Sequence, residues 1–116
     1  MTSYLLFAVL VGLALPLQAG INSQLRTHIG HPLWAAFVSF SVGTCVLALM
    51  LVVSRVGLPM AGWIGRAPYW HWAGGLLGAT FVTSAVVLAP RLGAATLGAA
   101  VVAGQMVGSL LLDHYG

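Results

Sequence analysis

Only a few groups in this 116-residue sequence could carry chemistry: one carboxylate (Asp113), four arginines with no lysine, four histidines and a single cysteine. Gln18, Asn22 and Arg26 fall at i, i+4 and i+8, and Gln105, Ser109 and Asp113 repeat that spacing, so on helices each set lies along one face. Amides both donate and accept hydrogen bonds, so Gln18, Asn22, Gln105 and Ser109 suit the wall of a cavity for a neutral or zwitterionic small molecule better than for a bare cation. The same residues also suit interhelical hydrogen bonds in lipid, worth roughly 0.6–2 kcal/mol each. Arg26, Arg91 and Asp113, near helix ends, are candidates for ion pairing or gating.

The remaining groups point away from catalysis. His28 and His31 straddle a turn with no third ligand, His71 stands between two tryptophans, and His114 follows Asp113, so no metal site is expected. Cys45 lies mid-run among apolar residues and reads as a packing residue. No nucleophile, phosphate loop or cofactor motif is present, and a single acid leaves no convergent acid and base. The expectation is a protein that is not an enzyme and has no cofactor.

The elements that hold these groups follow from composition. Charged residues make up 4% of the chain and hydrophobic residues 60%, with a mean hydropathy of +1.04, whereas a soluble domain carries about a quarter charged residues. The solvent is lipid, which excludes a soluble domain, a disordered chain, a disulfide scaffold and a nucleic-acid-binding module. Nearly charge-free runs predict four helices at about 5–27, 33–54, 70–88 and 93–112, forming a single all-α transmembrane domain over residues 1–116. Met1 to Tyr4 contain no Lys or Arg, so the first run reads as a retained helix rather than a leader.

Short connections, His28 to Pro32 and Ala89 to Leu92, predict two antiparallel hairpins, joined by a longer loop from Arg55 to Tyr69. Trp63, Tyr69, Trp70 and Trp72 read as an interfacial aromatic belt. Pro16 predicts a kink in the first helix that frees a carbonyl near Gly12. Ala35, Ser39 and Gly43, Gly74 and Gly78, and Gly104 and Gly108 are small-xxx-small spacings that mark packing seams. An offset of 63 lays Gly30 on Gly93, Ala36 on Ala99 and Val38 on Val101; these identities are no more than apolar composition produces by chance. Arg26 and Arg91 fall on one side of the membrane and Arg55 and Arg66 on the other, a tie that favours neither orientation and suggests dual topology with an inverted copy.

The run Gly12-Leu13-Ala14-Leu15-Pro16-Leu17-Gln18-Ala19-Gly20-Ile21-Asn22, followed by Pro32-Leu33-Trp34-Ala35-Ala36, resembles the opening of the small YdcZ-type bacterial inner-membrane proteins. Gly78-Ala79, Ala89-Pro90, Leu92-Gly93-Ala94-Ala95, Gly104-Gln105 and Leu112-Asp113-His114 continue the resemblance over nearly the whole chain. It implies membership of the drug/metabolite transporter superfamily, with distant similarity to the small multidrug resistance proteins, which work as antiparallel dimers. The family usually continues past the Asp-His-x-Gly stretch into a fifth helix, so the sequence reads either as a four-helix form or as one lacking that helix. The small multidrug proteins use a glutamate in the first helix; here that helix has Gln18 and Asn22, so the carboxylate mechanism does not carry over.

The expectation is therefore a bacterial inner-membrane transporter subunit, in contact with lipid and acting as an antiparallel dimer on a small polar or amphipathic metabolite. The alternative is a non-transporting structural or heteromeric partner subunit. No nucleic-acid partner is expected.

Overall fold

The structure, a computed structural model, describes residues 1–116, and all its regular elements are helical. Helix α1 (Thr2–Gly12) runs into α2 (Ala14–Ile29), and α3 (Pro32–Val53) follows. A short α4 (Trp63–Arg66) and a 3₁₀ turn (Tyr69–Trp72) lead to α5 (Ala73–Leu92) and α6 (Ala94–Tyr115). Thr2–Ile29, Pro32–Val53, Tyr69–Leu92 and Ala94–Tyr115 are the four segments long and apolar enough to cross a membrane. In hydrocarbon every backbone polar group needs a partner within the protein, so even β-prone pairs such as Val52-Val53 and Val101-Val102 wind into helix.

The α1–α2 span is interrupted at Leu13, three residues before Pro16, and Leu13 itself keeps right-handed helical angles (φ −65°, ψ −24°). Pro16 has no N–H for the Gly12 carbonyl, and its ring crowds that carbonyl; the defect therefore sits one turn ahead of the proline and the helix continues beyond it.

The two tight turns are built differently. Gly30 ends α2 in the left-handed region (φ 96°, ψ −9°) and donates its N–H to the Arg26 carbonyl at 2.7 Å. His31 is extended, its Nδ1 accepts the Leu33 N–H at 3.1 Å, and Pro32 opens α3 with its ring already at helical φ. The other turn is Gly93 alone (φ 82°, ψ 156°), a conformation essentially reserved for glycine, which ends α5 and starts α6.

The third span runs to Leu92 rather than stopping at Leu88, and Pro90 lies inside the helix. Proline at this position leaves the Val86 carbonyl, four residues back, without its helical donor. The Ser23 hydroxyl of α2 donates to that carbonyl at 3.4 Å, and Val86 is completely buried. A donor from a neighbouring helix thus lets a residue read as a breaker stay within a helix.

Helix α2 packs on α3, α5 and α6, while α5 also packs on α3 and α6. The buried residues are Asn22, Ala35, Ala36, Val82, Ala85, Val86 and Leu97, all in the half of the bundle next to the Gly30 and Gly93 turns. The rest is loosely arranged: the radius of gyration is 16.7 Å, against about 13 Å for a compact chain of this size. Over the loop, Trp63 and Trp72 stack with ring centroids 5.4 Å apart.

The 63-residue offset acquires structural content. It carries α2 onto the C-terminal part of α5, α3 onto α6 and Gly30 onto Gly93, both with positive φ. Ser23 and Val86, which are hydrogen-bonded, are themselves 63 apart, so the contact joins equivalent positions of the two hairpins. Successive spans alternate in direction, so α2 and α5 run the same way and the hairpins repeat without inversion.

Candidate functional site

Under that offset the α3–α5 interface is equivalent to the α2–α6 interface, and the two are packed differently. At α3–α5 the Phe40 ring covers Gly78: a Cβ placed there would meet the ring at 3.7 Å. Ala35, also on α3, is completely buried. At the equivalent positions α2 has Leu15 in place of Gly78, and α6 has Ala103 in place of Phe40. A large ring over a glycine closes the first interface; the second stays open beside Leu15.

What remains at α2–α6 is a half-enclosed cavity of about 190 Å³. The Pro16 defect forms one wall through Gly12, Leu15 and Pro16, and α6 forms the other through Leu97, Gly98, Val101, Val102 and Gln105. Phe81 of α5 closes the back. Gln105 is the only polar side chain in the lining, near the middle of its helix and so at mid-membrane depth. The Gly12 carbonyl receives nothing from Pro16, and no side chain of the protein donates to it.

The other expected site residues lie outside this lining. Gln18 is exposed on α2. Asn22 is the one buried polar residue, 4% exposed, and no side-chain hydrogen bond within the chain involves it. Arg26 is half-buried; Arg91, Ser109 and Asp113 are exposed. Asp113 stands 19 residues along α6 from Ala94, about 30 Å from the membrane side that carries Arg26 and Arg91. Among the small-residue seams, Ala35 and Gly78 are packed, whereas a Cβ at Gly43, Gly74, Gly104 or Gly108 would meet nothing within 4 Å. No group of three or more His, Cys, Asp or Glu side chains is placed to hold a metal ion.

Sequence reasoning missed Ser23, Phe81 and the capping role of His31. A signal for Ser23 was present: Pro90 follows Val86 by four residues, and a serine sits at the position equivalent to Val86. Phe81 carried no such signal, since its role depends on which helices become neighbours.

Residues 3–116 match the family described as "Putative inner membrane exporter, YdcZ". The chain belongs to the YdcZ family. Its four spans lie in the inner membrane in contact with lipid, and by family it is a membrane transporter. No curated protein and no solved structure matches the chain.

Proposed function

We propose that residues 1–116 form one transmembrane domain that works as an antiparallel dimer, exporting a small polar or amphipathic metabolite. The openness of the protomer carries this reading: four spans bury only seven residues, and the helix faces at Gly104 and Gly108 have no neighbour. Small residues in lipid allow backbones to approach closely, so such faces suit a second copy. Alternating access in this class of transporter uses inverted repeats, and the two hairpins here repeat without inversion, so an inverted second copy supplies the missing relation. Two arginines on each side favour insertion both ways, and inversion brings a partner's Arg26 and Arg91 to the level of Asp113.

The test joins topology to transport. A cysteine appended after Gly116 in a Cys45→Ala background is expected to label from both membrane sides, and a cysteine at Gly108 to cross-link two copies. Vesicles containing the protein and loaded with a metabolite mixture are expected to lose one chemical class faster than protein-free vesicles, with Gln105→Leu slowing the loss. One-sided labelling sinks the antiparallel dimer. If no metabolite is lost, the alternative of a non-transporting subunit takes its place.

A further inference from the structure

We infer that the α2–α6 cavity is a binding site for a neutral, chiefly apolar small molecule of about eight to ten non-hydrogen atoms bearing one hydroxyl or amide group. The inference rests on the transport reading and narrows its substrate class. Size sets the first limit: a wholly apolar cavity of about 150 Å³ admits benzene, so about 190 Å³ takes a six-membered ring and a short polar substituent. Polarity sets the second. Leu15, Phe81, Leu97, Val101 and Val102 supply an apolar wall, and no charged side chain reaches it, so a cation or carboxylate would be desolvated without a counter-charge.

The lining offers two hydrogen-bonding groups. Gln105 presents an amide that donates and accepts, and the Pro16 defect leaves the Gly12 carbonyl without its helical donor on the facing wall. One hydroxyl or amide can accept from Gln105 and donate to that carbonyl. The freed carbonyl at Pro90 differs, because Ser23 binds it in the packed core and leaves it nothing to offer. The α3–α5 interface has no such site, since Phe40 covers Gly78 there.

The test uses the full chain in lipid nanodiscs with 4-fluorobenzyl alcohol and 4-fluorotoluene as probes, read by fluorine NMR against concentration. The alcohol is expected to bind saturably and about ten-fold more tightly than the toluene, the net gain from its hydrogen bonds to Gln105 and the Gly12 carbonyl. Gly98→Leu, which directs a side chain into open space, is expected to abolish binding of both; Val102→Phe fills the same cavity should the first variant fail to fold. Gln105→Leu is expected to weaken binding of the alcohol but not of the toluene, leaving the alcohol its bond to the Gly12 carbonyl. Absence of saturation, or saturation unchanged by filling the cavity, overturns the site. A lipid retained in native mass spectrometry by the wild type, lost in Gly98→Leu and not displaced by the alcohol, assigns the cavity to an acyl chain and also overturns it. Binding as expected in a protein that exports nothing from loaded vesicles upholds the site and removes the transport reading.

Discussion

Pro90 and Pro16 each withdraw a hydrogen bond from a carbonyl four residues back, and the molecule resolves them in opposite ways. At Pro90 the freed Val86 carbonyl lies in the core, Ser23 of α2 donates to it, and α5 continues to Leu92. At Pro16 the helix breaks at Leu13, no side chain supplies a donor, and the wall beside the break encloses a cavity with Gln105. The same backbone deficit is a packing problem where helices are close and a potential binding feature where they are apart. What separates the two cases is what lies opposite the carbonyl: Ser23 of α2 faces that of Val86, whereas that of Gly12 borders the open space between α2 and α6.

Several substitutions sharpen or break that contrast. The largest effect is expected at the turns, where Gly93→Ala forces a side chain into a conformation costing roughly 2–3 kcal/mol, whereas Gly30→Asn, in the ordinary left-handed region, costs a few tenths. Denaturant titration of helicity in mixed micelles reads the difference; equal costs at the two positions would show that the turns are interchangeable.

Next comes Phe40→Ala. Phe40 is 42% exposed, so the expected loss is about 2 kcal/mol rather than the larger figure for a fully buried ring. The variant also opens the α3–α5 interface, and fluorobenzene binding at this second position, seen as an additional saturable NMR signal, is its structural signature.

Ser23→Ala is expected to cost about 1 kcal/mol by leaving the Val86 carbonyl without a donor. Pro90→Ala restores the backbone N–H, so the cost of Ser23→Ala should fall towards zero in that background. A double-mutant cycle measures this coupling, and additive effects would mean that Ser23 does not compensate for the proline.

The smallest effect is at His31. Its Nδ1 accepts the Leu33 N–H at the start of α3 and so caps one backbone donor of that helix. His31→Ala is expected to cost about 0.5–1 kcal/mol by leaving that N–H uncapped, and His31→Asn to keep most of the stabilisation, both read by the same denaturant titration.

Much of this arrangement was legible in the residues themselves. The scarcity of charge in Leu33 to Ser54 and Gly93 to Leu112 leaves lipid as the only solvent, and lipid permits only internally bonded backbone, so four helices follow from composition and run length. Gly30 before His31-Pro32 announced a turn, because a left-handed glycine and a helix-opening proline are local requirements. Pro90 was misleading for the converse reason: its tolerance depends on a hydroxyl 67 positions earlier in the chain, which periodicity cannot register.

The candidate site shows the same division. The sequence put a kink at Pro16 with a freed carbonyl near Gly12, and grouped Gln18, Asn22 and Arg26, and Gln105, Ser109 and Asp113, on single helix faces, because spacing along a helix determines direction. Only the tertiary structure decided that Gln105 lines a cavity with Pro16, that Asn22 is buried while Gln18 is exposed, and that one of two equivalent interfaces is closed and the other open. A helical period specifies a face, but what that face meets depends on the volumes of side chains from helices distant in sequence, as Phe40 over Gly78 against the open space beside Leu15 shows.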